Sequence, residues 1–453
     1  MDLVGARSHI GCERFSDWMC MSISSKKSRT SAFVVSGLSA AMVVSVAATG
    51  ANAAPKPTPK PTLSVAQKNA ACAPTPGVTP TSIALGWIGP KTGAASANYI
   101  GSSQAAQLRI DQQNARGGVN GRKLTMKVYD DQSSPTSQVS AAQQAIQSDQ
   151  VFGVTVQSST VSAYPTLKEN NIPVTGFSNQ AFNSDRNAFG TTGAPAPPGI
   201  GSLLVIQKLQ KMGVTKVANI NHASAGATAS GNTTSGLLKL VPGITESLRI
   251  ADEPFGTHDA TSTALRVKSS GSDGAIIVGF IEGGVSIAQA LLQQAVKLKG
   301  MSIVGLSDPA VLKTTGAALD GALGTNYGTV PVGVPRASVR TFANGMKAAG
   351  LNPYSSGAPM GYLGADLLIR GLQEAGQCPT RAVFIDKLRN VTNYTGNGLV
   401  PETISFKPGS TPNGNMPDCT WFMIAKGDQL VPDASPTCGA KYINTTTGAV
   451  VQG

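Results

Sequence analysis

Residues 83–131 constrain the fold of this chain more than any other stretch. Ile83, Leu85 and Trp87 alternate as a half-buried strand does, and Pro90 with Gly93 ends the run. A helical stretch follows, with Ala105, Leu108 and Ile110 on its apolar side. It stops in Asn114-Ala115-Arg116-Gly117-Gly118, where glycine accepts the positive φ of a C-terminal cap. Asn120-Gly121 is a tight-turn dipeptide, and Leu124 to Val128 resumes an extended segment that ends at Asp130-Asp131. Strand, helix and strand in that order make one βαβ unit.

The alternation continues. Strands are expected at 151–156, 174–177, 216–219, 274–278 and 302–305, and helices at 136–148, 199–212, 286–298 and 362–375. Such a pattern gives mainly parallel sheets with helices on both faces, an α/β fold. A chain of 453 residues has room for two cores. With 41% hydrophobic and 13% charged residues, the composition is that of a folded α/β protein and excludes a disordered one.

The amino-terminal region reads as an export signal. Lys26-Lys27-Ser28-Arg29 is a basic segment, 32–48 is apolar, and Ala51-Asn52-Ala53 has the small residues of a cleavage site. The signal is expected to span 1–53, with Met21 as an alternative start. No cysteine directly follows the apolar run, so no lipid anchor is expected. The mature chain is then extracellular, wall-associated or periplasmic. Residues 54–76, rich in Pro, Thr and Lys, are read as a linker outside the fold.

Of the six cysteines, Cys72, Cys378, Cys419 and Cys438 follow the signal. Four cysteines allow three pairings, which sequence alone cannot decide. The expected pairs are Cys419–Cys438, which closes a short loop, and Cys72–Cys378. The formal charge of +12 comes from scattered basic residues, without the clustering and aromatic interleaving of a nucleic-acid surface, so no nucleic-acid partner is expected.

Catalysis finds little support. His222 and His258 are the histidines beyond residue 53, and neither lies in a metal-ligand spacing. There is no G-x-S-x-G elbow, no C-x-x-C and no phosphate-binding glycine loop. An enzyme is not expected, nor a metal or cofactor.

The order of motifs in 83–131 resembles the opening of the branched-chain amino-acid-type solute-binding proteins, the type I periplasmic binding proteins that serve ABC importers. Asp149 to Val154, Ser158-Ser159-Thr160 and Lys168 to Val174 extend the resemblance, with further echoes at 291–305 and 362–376. It covers about 79–406 and implies two Rossmann-like lobes joined by a three-strand hinge. The expected lobes are 77–195 with 331–396, and 196–330 with 397–453.

The resemblance implies a ligand cleft at the carboxyl ends of the strands. On the first lobe Ser158, Ser159 and Thr160 can contact a ligand or simply cap a helix. Ser178 and Asn179 follow the next strand in the same way. On the second lobe Asp308 stands where amino-acid-binding members meet an ammonium group, though it can equally cap a helix. Tyr362 resembles a cleft-facing tyrosine. The place of the usual acidic and Tyr-Gly residues reads Asn221-His222-Ala223. His222 is therefore a candidate donor, and Phe280 a candidate aromatic contact. The implied function is capture of a small polar molecule (an amino acid, amide or small carboxylate) by a monomer that presents it to ABC permease subunits. A ligand-sensing or cell-envelope interaction module on the same fold is the alternative.

Overall fold

In a computed structural model of the chain the residues described are 62–452, apart from 178, 179, 255 and 327. The expected signal, Met21 and the beginning of the linker lie outside the described residues, as do Ser178 and Asn179.

The α/β expectation holds. One five-stranded sheet runs in the order Lys123–Asp130, Ser82–Gly89, Gly153–Val156, Val174–Gly176, Ala188–Gly190, and every pairing in it is parallel. A seven-stranded sheet runs Gln429–Pro432, Phe422–Lys426, Leu323–Thr325, Gly300–Val304, Gly274–Val278, Lys216–His222, Thr245–Glu253. Its first three strands pair antiparallel and the rest are parallel. Parallel neighbours need crossover connections, so all their carboxyl ends emerge on one edge of each sheet.

Each sheet has its own core. Ile83, Leu85 and Trp87 pack with Phe342, Tyr362 and Leu367 in the first, and Ala218, Ile220, Ile277, Ile287 and Ile303 cluster in the second. Leu399, Ile404 and Phe406 belong to the first core, which therefore reaches past residue 396. The segments between the lobes run side by side. Val330 N–H donates to the Leu399 carbonyl (2.8 Å) and Ala194 N–H to the Asn415 carbonyl (3.1 Å).

Three helices differ from expectation. The one expected at 199–212 is confined to Leu204–Lys211, because Ile200–Ser202 is instead a strand paired antiparallel with Tyr442–Asn444. A distant strand partner overrides a local helical pattern. The helix expected at 286–298 lies at Ile281–Gln293. It includes Gly283 and Gly284, poor helix formers whose missing side chains admit His222 and Ile303. The helix expected from residue 362 begins earlier, as Gly357–Ala375, and carries Pro359 in its first turn, where proline is tolerated.

The linker expectation is corrected for its described part. Val65–Ala70 is a helix started by a capping box of Ser64 and Gln67, and Asn69 is buried against the Pro80 and Asn120 carbonyls. Arg122, almost fully buried, donates to the carbonyls of Thr79 (2.8 Å), Gln377 (2.7 Å) and Asn69 (3.4 Å). Burial lowers the pKa of this guanidinium. The disulfides join Cys72 to Cys378 and Cys419 to Cys438. Residues 62–76 are thus clamped to the first lobe from several sides.

The clamp predicts a stability cost. Replacing Cys72 and Cys378 together by serine should lower the unfolding free energy by about 2–5 kcal/mol, because the bond closes a very long loop. A urea midpoint unchanged from the parent would show that the clamp contributes nothing.

Candidate functional site

The carboxyl edge of the first sheet is organised around two adjacent aspartates. Asp130 ends its strand and accepts from the N–H groups of Lys91 (2.8 Å), Thr92 (3.3 Å) and Gln132 (2.9 Å) and from the Thr92 hydroxyl (2.7 Å). Burial pushes its pKa up, but these donors outweigh it and hold the carboxyl below the usual range. Asp131 is fully buried and accepts from the Ser158 hydroxyl, Ser133 N–H (2.9 Å) and Gln138 Nε2 (3.4 Å). Here burial wins over the hydrogen bonds and raises the pKa.

Ser158-Ser159-Thr160 follows the strand Gly153–Val156. The Ser158 oxygen faces Thr160 Oγ1 (3.2 Å) and accepts from Thr160 N–H (3.2 Å). Gln138 fastens the turn from behind, donating to the Thr160 carbonyl (2.9 Å) and accepting from Ala163 N–H (3.0 Å). Ser159 is exposed at its tip, and its hydroxyl bonds to no described residue. Of the triplet, Ser158 and Thr160 hold the turn in shape while Ser159 presents a hydroxyl outward. Ile100 and Val161, in the loops at the same edge, are large apolar side chains left exposed.

On the second sheet His222 ends the strand Lys216–His222 and is fully buried. Its Nδ1 accepts the N–H of Phe280 (2.8 Å), the N-cap residue of Ile281–Gln293, whose own side chain makes no cap. That bond makes Nε2 the protonated nitrogen of a neutral ring. Burial lowers the His222 pKa; Glu253 opposes this and His258 adds to it. A Cβ on Gly279 or Gly283 would overlap the imidazole, so both glycines exist to seat it. Glu253 accepts from Thr263 (2.7 Å) and lies 2.8 Å from His258 Nε2. The structure therefore places His222 beneath a helix start, and Phe280, half-buried, beside it with ring centroids 6.4 Å apart.

Asp308 follows the strand Gly300–Val304. One oxygen accepts Ala310 N–H (2.9 Å) and the other accepts Asn352 Nδ2 (2.8 Å), a residue of the first lobe. The strand ends of the two sheets thus face each other. Tyr362 is not at this edge. It is buried within Gly357–Ala375, its hydroxyl donating to Gln112 Oε1 (2.7 Å) and its ring packed edge-on against Phe342. It is a core residue, which corrects its assignment to the cleft.

The sequence reading missed Asp131, Gln138 and Asn352. The Asp130-Asp131 pair at a strand end was a visible signal; nothing near Asn352 announces that it meets Asp308. Among the described residues, one group has the composition of a metal site, Asp418 with Cys419 and Cys438, but those sulfurs are joined in a disulfide. Two surface hollows of about 240 and 180 Å³ lie away from the carboxyl edges of the sheets, the first of them at the amino ends of Val174–Gly176 and Ala188–Gly190. Their charged groups are already paired, as Arg186–Asp386, Lys168–Asp185, Arg109–Asp366 and Arg370–Glu374.

Residues 82–429 match a family model described as periplasmic binding protein. No curated protein matches the chain. Among solved structures, the chain is similar to a branched-chain amino acid ABC transporter protein from Thermus thermophilus with bound valine, at 16% identity over 79% of this chain and 97% of that one, TM-score 0.67. It is similar also to a fatty acid ABC transporter substrate-binding protein from Thermomonospora curvata, at 17% identity over 84% and 98%, TM-score 0.65. A third is a solute-binding protein from R. palustris in complex with benzoate, at 17% identity over 79% and 97%, TM-score 0.64. At such identities the likeness speaks for the fold.

Two predictions test this geometry. Gly283→Ala should cost about 1–3 kcal/mol by overpacking against His222. Part of that cost should be recovered in a His222→Ala background, and strict additivity of the two changes would place the imidazole elsewhere. The second concerns Asp131. Its pKa is higher folded than unfolded, so between the two values the folded state holds the extra proton and stability falls as pH rises. Acidification toward the ordinary carboxylate range should therefore stabilise the parent relative to Asp131→Asn, as read by paired urea melts. A pH-independent difference would contradict the raised pKa.

Proposed function

The chain belongs to the periplasmic binding protein family, and from that premise we propose that it captures a small solute between its lobes and delivers it to an ABC importer. The observation that carries this reading is the approach of Asp308 to Asn352, which sets the carboxyl edges of the parallel strands of the two sheets against each other. Ligands of open α/β sheets bind outside the carboxyl ends of the strands, where loops and helix starts offer unpaired polar groups. Ser159 and the exposed Ile100 and Val161 supply such an edge with a hydroxyl and apolar contact.

The solute is a small molecule with a polar head: an amino acid, an amide or a carboxylate. The compared structures carry names that speak of valine, fatty acid and benzoate, so this fold serves polar heads on apolar bodies of several shapes. The lobes are taken as 77–195 with 331–396, and 196–330 with 397–453; Leu399, Ile404 and Phe406 in the first core support carrying the first lobe somewhat past 396. Permease membrane subunits are the partner that receives the solute.

The test is a thermal-shift panel of amino acids, carboxylates and amides on protein refolded from denaturant. A ligand at a hundred times its dissociation constant should add about 2.7 kcal/mol to stability. Ser159→Ala should weaken that ligand by about 1 kcal/mol, the contribution of one hydrogen bond. Uptake of the same ligand should be lost from cells lacking the chain. A folded protein that answers no compound, or a hit indifferent to every change at the strand ends, would sink the proposal.

A further inference from the structure

The contact between Asp308 and Asn352 is built at both ends. On the second lobe, Leu306 is buried in the core just before Asp308. Asp308 then begins a helical turn, its carboxylate accepting Ala310 N–H (2.9 Å) and its carbonyl accepting Val311 N–H (3.2 Å). On the first lobe, Asn352 Oδ1 accepts Tyr354 N–H (3.0 Å). That bond fixes the amide, because a flipped amide would set its oxygen against a carboxylate and its NH₂ against an N–H. The segment after Asn352 is tied down by the Ser356 hydroxyl on the Asn98 carbonyl (2.9 Å), and Gly357 lies so close to Tyr99 that a Cβ would meet its backbone.

The bond of 2.8 Å between Asp308 Oδ2 and Asn352 Nδ2 therefore joins two anchored groups on different lobes. Separation of the strand ends must break it. Asn352 is exposed and Asp308 half-exposed, so the bond supplies a bias and not a lock. A charge-assisted bond in such a place shifts an equilibrium by roughly three- to tenfold. A solute that prefers one state by more than that overrides it.

We propose that Asp308 and Asn352 form a latch that favours the apposed lobes before any solute is present. Asp308 is then a closure residue and not the partner of a ligand ammonium group. The latch rests on the reading of the cleft as the solute site.

Small-angle scattering of the solute-free full chain tests it. Asn352→Asp sets two carboxylates against each other and should raise the radius of gyration. The exchanged pair, Asp308→Asn with Asn352→Asp, keeps every bond. The amide introduced on the second lobe would accept Ala310 N–H through its oxygen and donate across the gap through its NH₂. The carboxylate introduced on the first lobe would accept both Tyr354 N–H and that donated proton. The exchange should return the radius to the parent value. A single variant as compact as the parent, or an exchanged pair as expanded as the single, overturns the latch. The measurement needs no solute, so silence in the thermal-shift panel sinks solute capture alone, while failure of the exchange sinks the latch alone.

Discussion

The first lobe depends on how closely the helices Ser102–Ala115 and Gly357–Ala375 approach. A Cβ on Gly361 would overlap the Ser102 carbonyl, one on Gly364 the Thr155 hydroxyl, and one on Gly371 the ring of Phe384. Only bare backbone fits at these faces, and the result is that Leu363, Leu367, Leu368 and Leu372 are buried in a single core. The buried pair Arg109–Asp366 (2.7 Å) sits on the same seam, with Arg109 also reaching Gln113. Each charge there has its partner, as burial demands. Because the second helix comes from far along the chain, this seam draws the carboxyl-terminal part of the lobe onto the opening βαβ unit. It also fixes Ser355 and Ser356, and through them the place of Asn352.

What the sequence disclosed and what it withheld separate along physical lines. The βαβ unit of 83–131 was readable because strand alternation, a glycine cap and an Asn-Gly turn are local signals, and Ser82–Gly89, Ser102–Ala115 and Lys123–Asp130 stand where those signals put them. Both disulfide pairings were anticipated. The serine turn was readable as a strand-end feature, but not the division of labour within it, which depends on Asp131 and Gln138 behind it. Tyr362 was misread because a tyrosine near a helix start looks the same whether it faces a cleft or Phe342. Residues 62–76 were misread because they follow directly on the Pro-, Thr- and Lys-rich run of 55–62, while the Ser64–Gln67 capping box and the buried Asn69 are single-residue signals. His222 was read as a donor to a ligand; only the two glycines opposite it, from another strand end and another helix, reveal that it is seated.

The second lobe shows the same tightness of fit turned to polar groups. Asn219 donates to the Gly231 carbonyl (2.9 Å), Ser235 Oγ (3.0 Å) and Glu246 (2.8 Å), and it pairs in register with Arg249 on the next strand. A Cβ on Gly231 would overlap Asn221 and Arg249. The helix Ala225–Leu240 therefore lies on a polar seam of the sheet as well as on apolar residues such as Leu237 and Leu238. Such a seam depends on its hydrogen bonds for its strength, and they fix the register of the helix along the sheet.

The two strand-end edges share one further property. Asp130, Asp131, Glu253 and Asp308 are the carboxylates closest to the ends of their strands, and each is engaged with donors from its own protein. Asp130 shapes the loop after the first strand, Asp131 the serine turn, Glu253 the segment around His258, and Asp308 both a helix start and the contact between lobes. Charge here holds loops in place. Among the groups left facing outward on the first sheet's edge, Ser159, Ile100 and Val161 are neutral. An edge whose carboxylates are all engaged by the protein's own donors has loops held in place by the fold itself.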